Sequence, residues 1–270
     1  MLAVYDTAEQ SQLKAALDDV YGVATHWRSW VTLGWHDILH KYRGSVLGPF
    51  WITLSMAIFI GGLSAVYGGI FGNNNSHYIT YLAISLPLWG LMSESLQQGC
   101  TCFSGETLIK QIRLPYSVFV ARVLWRNTVI FLHNIVIFVV SSLFIESSHL
   151  PHFVLLVIGY TLFVINLFWI ALLFGIICAR FRDFAQIVTN LIGLVFFISP
   201  VMWEPKLLEG KPYLIELNVF NHMMEVVRQP ILGEIPTTLD YVVSVSLAIL
   251  GCGLCLTVFM KFRRRLAYWI

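Results

Sequence analysis

From Phe50 to Phe71 the chain carries no charged residue, and the segment just before it is built on a different pattern. Upstream, Trp27, Val31, Trp35, Ile38 and Tyr42 recur at helical spacing, while Arg28, His36, Asp37, His40 and Lys41 fill the other positions. That alternation suits a helix half sunk among lipid headgroups, with its apolar side down. Gly44, Gly48 and Pro49 separate the two patterns. Such residues end helices and permit sharp changes of direction. The spacing therefore predicts an elbow, where a helix lying on a membrane turns into one that crosses it.

A helix needs about 20 apolar residues to cross the hydrocarbon layer. Runs of that kind occur at about 49–71, 78–96, 127–145, 153–178, 185–203 and 240–260. The second is interrupted by Pro87 and carries Glu94 near its end. A proline is tolerated in a membrane helix when neighbouring groups satisfy the freed carbonyl. Composition agrees: hydrophobic residues make up 57% and charged ones 12%, about half the charge of a soluble domain. The expected fold is an all-α integral membrane protein. Residues 1–48 form a cytosolic N-terminus with the interface helix, and residues 49–270 form a six-helix transmembrane domain.

The basic residues test the count. With six crossings, one side holds Lys14, Arg28, Lys41, Arg43, Lys110, Arg113, Arg122, Arg126, Arg180, Arg182, Lys261, Arg263, Arg264 and Arg265, and the other only Lys206, Lys211 and Arg228. Positive residues accumulate on the cytosolic side, so both termini are expected there. Met1 to Asp19 lacks the basic start and apolar core of a cleavable signal. The expected N-terminus is therefore mature. Arg122 and Arg126 share a helix face near the boundary. They are expected to reach lipid phosphates or Glu94, because a charge at mid-bilayer costs about 2.5–3.5 kcal/mol on insertion scales.

Two connections stand out. Residues 204–239 carry four prolines, and within them Phe220, Met223, Met224, Val227 and Ile231 follow helical spacing beside Asn221, Glu225 and Arg228. One or two short helices on the outer face are expected there. On the cytosolic side Glu106, Lys110, Gln111 and Arg113 mix with Leu108, Ile109, Ile112 and Leu114 before Pro115. This reads as a short helix parallel to the membrane, able to dock a soluble partner or bind anionic headgroups.

Chemistry leaves little trace. The chain has no phosphate-binding loop of the form G-x-x-x-x-G-K-[ST], no H-E-x-x-H and no G-x-S-x-G. Cys100-Thr-Cys102 is too tight and isolated for a zinc site, and no catalytic residue, metal or bound cofactor is expected. Ionisable groups are nearly absent from the helix centres, which argues against an ion-coupled pump. If the chain moves a cargo, the energy enters from elsewhere. Two other readings stand beside transport of a large cargo. One is an exporter of drugs or other small molecules, which predicts a closed central pocket. The other is a membrane-embedded glycan-modifying enzyme, which needs a polar catalytic cluster near an interface.

The motif Tyr42-Arg43-Gly44-Ser45-Val46-Leu47-Gly48, followed by Phe50-Trp51 after an amphipathic helix, resembles the start of polysaccharide-export permeases of the ABC-2 type. Ile109-Lys110 to Leu114-Pro115, Ala179-Arg180-Phe181-Arg182-Asp183, Ser199-Pro200-Val201, and Asn221 with Arg228 extend the resemblance over nearly the whole chain. Where family members carry Asn-Pro ahead of the outer helix, this chain has Asn221-His222.

The resemblance implies a homodimer in the bacterial inner membrane, bound to two copies of a P-loop ATPase that holds ATP and magnesium. The implied cargo is a lipid-linked polysaccharide of O-antigen, capsule or teichoic acid type, with membrane lipids as further partners and no nucleic acid. It further implies ATPase coupling through Trp35, Tyr42, Arg43, Glu106, Lys110, Arg113, Arg180 and Asp183, and an outer gate at Asn221, Met224 and Arg228. The first and fifth helices would line a conduit, with Trp51, Ser55, Phe59, Phe196 and Phe197 as candidates. Sugar rings present apolar faces that stack on aromatic ones, so such a lining lets a chain slide.

Overall fold

The computed structural model describes residues 2–70, 75–103, 114–143, 151–208 and 213–270, and every described regular element is helical. α1 (Leu2–Thr25) and α2 (Trp27–Lys41) precede α3 (Phe50–Ile70) and α4 (Asn75–Thr101). Then come α5 (Tyr116–Ser142), α6 (Phe153–Arg180) and α7 (Phe184–Ile198). A 3-10 turn at Pro205–Leu208 and the single turn α8 (Tyr213–Glu216) lead to α9 (Val219–Leu232) and α10 (Thr238–Trp269).

Among the described residues, four helices are long and apolar enough to cross a membrane: Phe50–Gly68, Tyr116–Ser142, Phe153–Arg180 and Thr238–Trp269. α7 is apolar but shorter. α4 has the length, yet Ser85, Ser93, Glu94, Ser95, Gln97 and Gln98 dilute its apolar face. The reason is its position. α4 packs against α3, α5, α6, α7 and α9, so protein rather than lipid surrounds most of it and polar groups find partners there. Pro87 leaves it one continuous helix.

The break between the two patterns falls where the glycines stand. α2 ends at Lys41 and α3 starts at Phe50, and between them Gly44 and Gly48 take φ of +84° and +53°. An L-residue pays about 1–2 kcal/mol in that region, which glycine avoids. α2 lies against α5, burying Gly34 and Ile38 and leaving Trp27, Trp35 and Leu39 exposed.

Several boundaries differ from the sequence expectation. α5 begins at Tyr116 rather than near Asn127, so Arg122 and Arg126 lie inside a helix. α10 continues past Met260 to Trp269 and carries Lys261 to Arg265 with it. Both extensions have local causes. Asp19 of α1, only 2% exposed, accepts the Ser117 backbone N–H at 3.0 Å in the first turn of α5 and pairs with Arg263 Nε at 2.9 Å. A carboxylate in that position satisfies an orphan donor and favours the positive helix end. One acid thus ties the N-terminal helix to the start of α5 and the end of α10.

α9 fits tightly against α6, because a Cβ on Gly159 would overlap the Val226 carbonyl. Asn218 caps α9 by accepting from the Asn221 N–H at 3.1 Å, and Gly233 closes it with φ +80°. Asn221-His222, the departure from Asn-Pro, therefore falls inside the first turn. There His222 Nδ1 lies 2.6 Å from Asp240, which also forms a capping box with Thr237 at the start of α10.

Candidate functional site: an aromatic groove and its supports

Three of the five sequence-predicted conduit residues meet in one groove. Phe59 of α3 and Phe196 and Phe197 of α7 line a cavity of about 360 Å³ floored by Trp89 of α4, with Ser93, Gln97 and Thr189 as its polar members. The rings of Trp89 and Phe196 are 5.4 Å apart and tilted by 50°, and those of Phe196 and Phe197 are 5.4 Å apart, edge to face. Such pairs hold ring faces in fixed orientations. Phe197 remains 72% exposed. Its helix supplies the reason: α7 puts little but Val188 into the interior and turns Ile187, Leu191, Leu194 and Phe197 outward.

The other two lie apart from the groove. Trp51, at the start of α3, is exposed. Ser55 donates to the carbonyls of Trp51 (2.6 Å) and Ile52 (3.1 Å) and borders a second cavity, between α2, α3, α4 and α5.

The far end of the groove is held by a buried polar cluster. After α7 the chain bends at Ser199-Pro200-Val201, and Tyr81 Oη donates to the Pro200 carbonyl at 2.6 Å while Tyr78 Oη donates to that of Met202 at 2.5 Å. Arg228 of α9 is 1% exposed and donates to the Pro200 carbonyl (2.6 Å), Tyr81 Oη (2.6 Å) and Ser85 Oγ (3.1 Å), and pairs with Glu225. Asn218 Nδ2 donates to Ser199 Oγ at 2.8 Å. Of the candidate gate residues, Asn221 and Met224 are buried beside Arg228. Arg228 thereby joins α9 to α4 and to the end of α7. A charge removed from water this completely needs a full set of acceptors, and Arg228 has one.

At the opposite end a second network ties α2 to the bundle. Arg122 grips Asp37 with Nε at 2.8 Å and Nη2 at 2.6 Å, and Arg126 Nη1 reaches the same carboxylate at 3.3 Å. Arg126 Nη2 donates to Gln98 Oε1 at 2.6 Å, as does Asn127 Nδ2 at 2.9 Å, and Asn127 also reaches Ser95. Glu94, the partner expected for the arginines, accepts from Gln98 at 2.5 Å. Asp37 took its place because α2 docks on α5, a tertiary contact that helix periodicity does not encode.

Trp35, Tyr42 and Arg43 follow along α2 and the elbow; Trp35 and Arg43 are exposed, Tyr42 is half-buried, and burial pushes its phenol up from the usual value. Arg180, at the end of α6, lies 5.4 Å from the Trp269 ring centre, and Asp183 starts α7. Glu106, Lys110 and Arg113 lie outside the described residues. Asp19, Asp37 and Tyr81 escaped the sequence reading. Each is an ordinary polar residue in a helical pattern, made structural by a partner at least 80 positions away.

Residues 28–232 match the family model described as ABC-2 type transporter. The chain is 24% identical to the O-antigen export system permease protein RfbA of Myxococcus xanthus, over 64% of this chain and 67% of that protein. ABC-2 permeases work with a partner ATPase subunit, which accords with the missing phosphate-binding loop. With most of its length matched, this multi-pass chain belongs to the ABC-2 type transporter family, as a membrane subunit and not an enzyme.

Proposed function

We propose that this chain is the permease of an exporter that carries a lipid-linked polysaccharide of O-antigen, capsule or teichoic acid type across the bacterial cytoplasmic membrane. α3, α4, α5, α6, α7 and α10 are its six crossings, with both termini cytosolic and α8 and α9 on the outer side. Two copies form a homodimer on two P-loop ATPase subunits, which bind ATP and magnesium. The observation that carries this reading is the aromatic groove between α3 and α7, whose exposed Phe59 and Phe197 face away from the protomer's own core. Across a two-fold axis, two such grooves make an aromatic-lined route with Trp51 and Ser55 toward its inner end. The O-antigen export permease among its relatives supports the cargo class.

Asp37 with its two arginines gives a mechanical path from the ATPase side. A partner pressing on Trp35, Tyr42, Arg43, Arg180, Asp183 and the 106–113 segment moves α2, and the ion pairs pass that displacement to α4 and α5. At the outer side, Arg228, beside Asn221 and Met224, holds α9 to the end of α7, so the outer gate moves with the conduit helix. The test is export in reconstituted vesicles containing permease, ATPase and a fluorescent lipid-linked glycan. ATP-dependent accumulation of glycan in the lumen is expected. Glycan export without the ATPase, or a small amphiphilic drug moved while glycan is not, contradicts the reading.

A further inference from the structure

The cavity bordered by Ser55 is wider than the aromatic groove. It measures about 520 Å³ and opens between α2, α3, α4 and α5, where Lys41 and Tyr42 at the end of the interface helix form part of its lining. Ile52, Met56, Leu91 and Phe131 give it an apolar wall.

Two groups on that wall are unlike the rest of the core. Asn134 is 3% exposed and lines the cavity, yet its amide makes no side-chain hydrogen bond among the described residues. It sits seven residues beyond Asn127, about 10 Å further along the helix at 1.5 Å per residue. Its Oδ1 is a buried acceptor with no donor among the described residues, and such an atom calls for a donor from elsewhere. Glu94 is exposed on the same cavity although its neighbours on α4 are buried. Its Oε2 accepts from Gln98, leaving Oε1 uncommitted.

The lining charges cancel. Asp37 and Glu94 oppose Lys41 and Arg126, and Asp37 is already engaged by Arg122 and Arg126. A multiply charged anion such as a lipid diphosphate would meet the open Glu94 carboxylate. A zwitterion with a hydrogen-bonding cation meets complementary groups throughout. We propose that this cavity binds the headgroup of an aminophospholipid of the phosphatidylethanolamine class, from the leaflet at the basic end of the bundle. The ammonium donates to Glu94 Oε1 and to the Asn134 amide oxygen, and the phosphate accepts from Lys41 and the Tyr42 hydroxyl. The apolar wall receives the upper part of an acyl chain. Such a lipid wedges α2 against α3 at the elbow. This inference rests on the chain crossing a membrane, not on what the transporter exports.

Native mass spectrometry of the purified full-length chain, equilibrated with equal amounts of dioleoyl phosphatidylethanolamine, phosphatidylcholine and phosphatidylglycerol, tests it without ATPase or glycan. Phosphatidylethanolamine should be retained about tenfold over phosphatidylcholine, whose trimethylammonium has no N–H to donate. Glu94→Gln should erase that preference, and Asn134→Leu should lower retention of phosphatidylethanolamine about fivefold. Lys41→Gln, at an exposed position that cannot disturb packing, should weaken retention of all three lipids, each of which carries a phosphate, without altering the size-exclusion profile. Thr257→Val, on the exposed face of α10, should change nothing. Equal retention of the three lipids by the unaltered chain overturns the proposal. So does an ethanolamine preference that survives Glu94→Gln, or displacement of phosphatidylethanolamine by an equimolar isoprenoid diphosphate.

Discussion

Replacing Arg228 by methionine removes a buried charge that bridges three elements. Its guanidinium, 1% exposed, serves the Pro200 carbonyl, Tyr81, Ser85 and Glu225. Without it, Glu225 is left at 6% exposure with no counter-charge. Removing one partner of a buried pair costs about 3–5 kcal/mol, whereas replacing both by apolar side chains is often neutral or better. Tyr81 keeps the Pro200 carbonyl as acceptor, so Arg228→Met/Glu225→Leu should recover at least about 2 kcal/mol of the loss. The coupling energy of the double-mutant cycle is then about 2 kcal/mol or more. At about 2–4 °C per kcal/mol for a chain of this class, Arg228→Met should lower the Tm by about 6–20 °C. Thermal unfolding in mild detergent, followed by tryptophan fluorescence, reads it directly. A shift below about 2 °C, or a double variant that loses the sum of the two single losses, refutes the argument.

Five other variants probe separate links. Asp37→Asn strips the shared partner from Arg122 and Arg126, so export should fall at least tenfold while the ATPase keeps hydrolysing, measured as transport per ATP. Gly159→Ala drives a methyl into the Val226 carbonyl and should cost about 1–3 kcal/mol, as overpacking does, in the same unfolding assay. Gly44→Ala and Gly48→Ala meet no neighbour within 4 Å, so each should cost only the backbone term of about 1–2 kcal/mol. Alanine at Phe59 and Phe197 together should slow glycan export with little change in stability, because both are more than half exposed.

The elbow was legible because glycine at positive φ and a charge-free helix are local properties. Gly44, Gly48 and Pro49 mark it in the sequence as clearly as in the structure. The helix spacing of Phe220 to Ile231 likewise became α9. What helix periodicity misjudged were ends and partners. α5 starts eleven residues early because Asp19, far upstream, caps it. Glu94 looked like the natural partner of Arg126 by position along the bilayer, yet Asp37 holds both arginines because α2 folds back onto α5. Arg228, expected in a helix on the outer face, lies in the core because Tyr81 and Ser85 come to meet it. Each of these depends on a contact between segments distant in sequence, which spacing within one helix does not report.

Everything in the export reading turns on whether glycan passes along α7. A photo-crosslinking amino acid at Phe197, in the permease–ATPase complex exporting a labelled glycan, measures that contact. The account predicts glycan adducts that appear only while ATP is hydrolysed and that vanish when the probe is moved to Leu250 on the exposed side of α10. Adducts to phospholipid acyl chains alone at Phe197, with or without ATP, would contradict it.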